Sequence, residues 1–193
     1  MKVIDAFTLP PTLRALLRPS ELLPDPRGGT HRLPQYFYEV ESWAAAKQLQ
    51  LTAHFTMAEL TTVDCREAEP LWRGVPHYVP CAVSVLARYL QEFRNRVEAV
   101  VFVGANGGYR SPAHALTPPH ATPHHWATAA DIYRIGDTSL DTQNSIERYA
   151  RIAESIGPEV FVKPFGHGPG ETDDHLHIDI GFLTLVPHGC SEL

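Results

Sequence analysis

The chain has 193 residues, a formal net charge of -6 and 44% hydrophobic residues. That length suits one domain, able to remove about two-thirds to three-quarters of its unfolded surface from water, and leaves little room for a second. Negative charge without clustered lysine or arginine excludes nucleic acid as an expected partner, because phosphate binding needs cations gathered on one face.

The opening Met1-Lys2-Val3-Ile4-Asp5 meets an acid at once and prolines soon after, so no secretory leader is predicted. No run approaches membrane-spanning length, and no membrane partner is expected. A cytoplasmic protein is the expectation, with export of a processed form and the oligomeric state left open. Residues 1–36 read as irregular, punctuated by Pro10-Pro11, Pro19, Pro24, Pro26, Gly28-Gly29 and Pro34 around one helical candidate, Thr12 to Leu17. Such a segment suits a surface-wrapping connection, with a lid or specificity element as the alternative. Tyr36 to Val40 reads as a strand and Glu41 to Gln50 as a helix, so that residues 1–50 form an arm and helix packing on a main region over 51–193. Glu59 falls in another brief helix.

The clearest helix runs from about Pro80 to Val97, where Val83, Leu86, Ala87, Leu90, Phe93 and Val97 recur at helical spacing. Ala99 to Gly104 follows as a strand with apolar residues on both faces, which predicts a central position. Asn106-Gly107-Gly108 then turns the chain into a histidine-rich loop that ends in an extended segment, Ala127 to Ile135, broken by Gly136-Asp137. Asp141 or Thr142 caps a helix through Ser155, with Ile146, Tyr149, Ala150 and Ala153 on one side. Glu159 to Lys163 reads as a strand, and Gly166 to Glu171 as a flexible loop. Helices and strands in this order predict an α+β domain with a mainly antiparallel sheet, flanked by helices, as the floor of a cleft.

Two segments carry chemistry. In the first, Ala129, Asp131 and Tyr133 share one face of the extended segment while Ala130, Ile132 and Arg134 share the other, so Asp131 projects beside a small residue. In the second, Asp173 to Ile180, His175, His177 and Asp179 face one way and the apolar Leu176, Ile178 and Ile180 face the core. His124, Asp131 and His177 then offer two imidazoles and a carboxylate, a common catalytic zinc set that leaves a fourth position for water. His125 is the rival to His124. The cysteines Cys65, Cys81 and Cys190 are far apart with no C-x-x-C pair, which disfavours a cysteine-rich zinc knot and fits a reducing compartment. Two histidines and a carboxylate also describe the facial triad of non-haem iron oxygenases, which usually carry a tighter H-x-D pair.

Thr122-x-His124-x-x-Ala127-x-Ala129-x-Asp131 resembles the S-x-H-x-x-G-x-A-x-D signature of the D-Ala-D-Ala carboxypeptidase-type zinc metallopeptidases, which share the hedgehog/DD-peptidase fold. Gly108-Tyr109-Arg110-Ser111 resembles the G-Y-R-S before it, Asp174-His175-Leu176-His177 the later D-H-x-H, and Phe55-Thr56-Met57-Ala58-Glu59-Leu60 the F-T-x-x-E-L opening of one branch. The similarity spans roughly residues 54 to 182. It implies one zinc ion bound by His124, Asp131 and His177, and its spacing prefers His124 to His125. It implies Asp174, or nearby Asp173 or Glu171, as general base, His175 as support for the transition state, and Arg110 as the group holding the substrate or its oxyanion. Tyr109 and Ser111 belong to the same implied substrate loop, and Trp126 reads as a subsite wall or as packing.

The expected activity is hydrolysis of an amide bond in a small peptide or peptidoglycan fragment. A non-catalytic zinc-binding module of the same fold is the alternative. Thr122 and Ala127 depart mildly from the signature, whereas residues 112–123 rewrite the loop after Y-R-S and put specificity in doubt.

Overall fold

The proline-rich opening is more regular than its sequence predicts. In the computed structural model, which describes residues 1–188, β1 (Val3–Asp5) and α1 (Pro11–Leu17) precede a hairpin of β2 (Leu22–Pro24) and β3 (Thr30–Arg32). Pro11 starts α1, where a helix needs no N–H from it. Next come β4 (Tyr36–Glu39), α2 (Trp43–Gln48), α3 (Met57–Thr61) and β5 (Tyr78–Pro80). The order β1-β4-β5 makes a three-stranded antiparallel sheet, so the first residues are built into the fold through partners far along the chain. Glu59 has a structural task in α3. Its carboxylate accepts the Thr56 N–H at 2.7 Å while Thr56 Oγ1 accepts the Glu59 N–H, a reciprocal cap that accounts for the T-x-x-E spacing.

The long helix α4 (Val83–Val97) buries Val83, Leu86, Ala87, Leu90 and Phe93, the predicted stripe. Each of these side chains larger than alanine contributes about 1.5–3 kcal/mol on leaving water. Then follow β6 (Val101–Val103), β7 (Ala129–Ile135), β8 (Thr138–Ser139), α5 (Gln143–Glu154), β9 (Phe161–Val162) and β10 (Leu176–Asp179). Thr142 caps α5 through Ser145, and α5 packs on α4, β9 and β10.

The second sheet has the order β6-β7-β10-β9, with β8 also on β7, and every ladder in the protein's strands is antiparallel among the described residues. This places β6 at an edge, not at the centre. Its second face needs no covering layer because the Arg134 guanidinium lies 4.0 Å from the Phe102 ring centroid and covers it. The result is a single-domain α+β fold with one main core and a smaller cluster of Leu23, Leu33, Ala121 and Trp126 under the hairpin. No helix of the described residues is long and apolar enough to cross a membrane. Cys65 is exposed, Cys81 is buried, and Cys190 lies outside the described residues.

Candidate metal centre

Sheet register brings the two chemical segments together. In the β7–β10 ladder His177 stands directly opposite Asp131, and Asp179 opposite Ala129. Directly opposed side chains project to the same face at about 4.5–5.5 Å, so the small Ala129 leaves room for Asp179. On the opposite face Ala130, Ile132, Leu176 and Ile178 join the main core.

The third member arrives from a short 3-10 turn, Pro123–Trp126, which ends at Ala127 in the left-handed region, φ 57°. A side chain is disfavoured in that backbone, so Ala127 sits there at a cost. Three glycines hold the parts in place. The Asp131 N–H donates to Gly107 O at 2.7 Å, the Gly104 N–H donates to Asp131 O at 3.0 Å, and His124 Nδ1 lies 2.8 Å from Gly108 O. A Cβ on Gly107 would sit 2.7 Å from Asp131 O, and one on Gly108 would overlap the Leu60 carbonyl. Only glycine permits both approaches.

His124 Nδ1 donates to Gly108, which leaves Nε2 with its lone pair. That nitrogen is buried, has no hydrogen-bond partner and lies 3.4 Å from Asp131 Oδ1. His177 Nε2 lies 3.1 Å from Asp179 Oδ2, and Nδ1 lies 2.7 Å from Asp131 Oδ1. With a proton on Nε2 for Asp179, Nδ1 also presents a lone pair. The three donor atoms all fall within 4.8 Å of one another, and the group could hold a metal ion. Around a tetrahedral ion with bonds near 2.0–2.1 Å, neighbouring donors stand about 3.3 Å apart, close to the spacing of His124 and Asp131. An orphaned buried nitrogen, a carboxylate and an oriented imidazole fit such an ion by their own chemistry. A histidine held by an outer carboxylate is the usual support for a metal ligand.

Electrostatics agree. Burial works against the Asp131 carboxylate, but His124 and then His175 and His177 hold it well below the ordinary range. Burial pulls His124 down, keeping it neutral, as a ligand must be. Arg110 is also pulled down by burial, opposed by Asp131, whose Oδ2 lies 3.5 Å from its Nη2. His175 points Nε2 at the same carboxylate, 3.4 Å from Oδ1, while Nδ1 lies 2.5 Å from Asp174 Oδ1. Burial lowers its pKa, but Asp131 and Asp174 leave it raised overall.

No family model, curated protein or solved structure matches this chain. The site therefore stands on its own geometry.

Among the three acids, Asp174 touches His175, whereas Asp173 pairs with His167 at 2.8 Å and Glu171 accepts the Gly168 N–H at 2.8 Å. His125 is apart from the donor group, with Nδ1 3.2 Å from Thr122 O. Three expected substrate contacts are corrected. Trp126 is fully buried against the hairpin, its indole N–H donating to Arg32 O at 3.0 Å, so it is packing and not a cleft wall. Tyr109 is buried in the main core, and Ser111 is buried with its hydroxyl donating to Glu67 at 2.6 Å. Neither side chain faces solvent. The loop that carries them positions Arg110, whose own N–H donates to His124 O at 3.3 Å. Asp179 and Glu67 are supporting residues that motif spacing did not single out, and Gly108 marks only the start of G-Y-R-S there, without a role. For Asp179 a signal existed, since strand alternation already put it on the face of His177.

Proposed function

We propose that this chain is a zinc-dependent amide hydrolase of the hedgehog/DD-peptidase type, acting on a small peptide or peptidoglycan fragment. The observation that carries the proposal is the unpartnered, buried His124 Nε2 beside Asp131 and His177, with Arg110 and His175 reaching the same carboxylate. The chain has one H-x-D pair at the site, His177-Ile178-Asp179, but Asp179 stands against His177 Nε2 at 3.1 Å and is outside the donor group of His124, Asp131 and His177, whereas the ligand spacing and flanking arginine both resemble the zinc peptidases.

His124 Nε2, Asp131 and His177 Nδ1 would hold the ion. When bound, zinc supplies Lewis acidity, polarising a carbonyl and making water more acidic. Arg110, partly buried at the margin of the site, holds a substrate carboxylate or the negative charge that develops on the carbonyl oxygen. His175 Nε2 faces the reacting region with Asp174 behind it, so this pair carries the proton from attacking water to the leaving amine. Asp174 is largely exposed and acts through its contact with His175 at 2.5 Å.

The test is mass-spectrometric assay of D- and L-terminated peptides on zinc-loaded protein, with and without chelator. Chelator-sensitive cleavage is expected, and Asp174→Asn is expected to lower kcat by about 10²–10⁴-fold with zinc still bound. Turnover near wild type in Asp174→Asn removes Asp174 from the proton path. No cleavage across the panel by stoichiometrically loaded protein favours a non-catalytic zinc module.

A further inference from the structure

A cavity of about 530 Å³ lies beside His177 and Asp179. Its other lining comes from segments far apart in sequence: Arg27 in the turn of the β2–β3 hairpin, Phe161 and Lys163 at β9, and Phe182 beyond β10. Phe182 is fixed by stacking on His31, with ring centroids 3.7 Å apart, and the Arg27 guanidinium lies 5.5 Å from the centroid of Phe161. Aromatic surface and cations therefore meet in one space next to the metal centre.

The charges in this cavity are not balanced in use. Its two carboxylates are committed, Asp25 to the Arg27 N–H at 2.8 Å and to His31 Nε2 at 2.9 Å, Asp179 to the Gly181 N–H at 2.8 Å and to His177 Nε2 at 3.1 Å. Its cations are held more loosely, Arg27 only by a long ion pair with Asp25 and by the Phe161 ring. Arg27 Nε stands 3.8 Å from Asp25 Oδ1, beyond hydrogen-bonding reach, and Lys163 has no side-chain partner among the described residues. Two cations without a close side-chain hydrogen bond, around apolar walls, suit a stem bearing one carboxylate better than a polyanion, which would need more donors.

We infer that this cavity is the subsite for a carboxylate-bearing, partly apolar group of the substrate, with Arg27 and Lys163 as its cationic contacts and Phe161 and Phe182 against its stem. It rests on the hydrolase proposal only in calling the bound molecule a substrate. The hairpin is then a specificity element, and the proline- and glycine-rich turn at 25–29 has a task.

The test needs no catalysis. Calorimetric titration of the full-length protein compares 3-phenylpropionate with 3-phenylpropionamide, which differ only in the charged group. The acid is expected to bind at least about tenfold more tightly than the amide, a typical effect of charge-assisted contacts. Arg27→Gln combined with Lys163→Gln is expected to erase that difference while circular dichroism and Tm stay as in wild type. Should the double variant lose its fold, each single variant is expected to lose part of the preference. Metal-stripped wild type is expected to keep it. Equal binding of acid and amide to wild type overturns the subsite, as does a preference that vanishes with the metal and survives in the double variant. A zinc-loaded protein that keeps the preference yet cleaves no peptide refutes the hydrolase and leaves the subsite standing.

Discussion

His177 meets a carboxylate at each ring nitrogen, Asp131 at 2.7 Å and Asp179 at 3.1 Å. With Nδ1 given to an ion, the ring proton sits on Nε2, where Asp179 holds it from outside the donor group. Asp179→Asn keeps an oxygen for the Gly181 N–H but turns an amide N–H toward Nε2, which drives the ring proton to Nδ1 and blocks the lone pair. Metal affinity, read by competition with a chelating dye, is expected to fall about 10–100-fold; unchanged affinity would remove Asp179 from the site. His114 makes a different prediction. Nε2 lies 2.9 Å from Asn106 Oδ1 and Nδ1 accepts the Leu116 N–H at 3.1 Å, so the neutral ring is satisfied at both ends. Burial, and then the Arg110 charge, pull its pKa from 6.5 down to about 4. The unfolded chain takes up a proton first as pH falls, so this stabilisation is full above pH 6.5 and is lost toward pH 4. Tm of wild type is expected to rise across that window, and His114→Gln to rise less; equal slopes would contradict the role of His114. At this scale the donor residues were legible because strand alternation and spacing fix which side chains share a face. The burial of Trp126, Tyr109 and Ser111 was not legible, because it depends on the distant hairpin and on Glu67, whose approach no local pattern announces.

The turn at Gly107-Gly108 joins elements that the sequence treats separately. Gly108 lies against the Leu60 carbonyl of α3 and offers its own carbonyl to His124, so one residue couples helix packing to a metal donor. Gly108→Ala must displace backbone, and a loss of about 1–3 kcal/mol in urea unfolding is expected, together with weaker metal binding. Wild-type stability and affinity in that variant would show that the turn relaxes freely. The long elements α4, α5 and β7 were readable because each holds enough residues for its period to emerge, and the four-residue β10 because the alternation runs on through its flanks, Asp173 to Ile180. Strands β1, β2 and β3 have three residues each, too few for alternation, and their existence depends on the partners they reach. The edge position of β6 is not legible in the sequence for a related reason. An apolar face ordinarily signals a covering layer, but here Arg134 from the neighbouring strand supplies the cover.

For the molecule as a whole, the β7–β10 ladder of the second sheet, with α5 packed on β9 and β10, brings Thr122–Asp131 and Asp173–Asp179 to one point. The α+β architecture followed from element order alone, whereas the position of the amino-terminal hairpin, over Trp126 and beside His177, required the assembled fold. The central claim is that His124, Asp131 and His177 share one metal ion. Anomalous diffraction at the zinc edge from zinc-loaded crystals tests it most directly. The expected result is one peak about 2.0–2.2 Å from His124 Nε2, an Asp131 oxygen and His177 Nδ1, with a remaining position taken by solvent. No peak there, or an ion closed off by a further protein donor such as His175 Nε2, would contradict it.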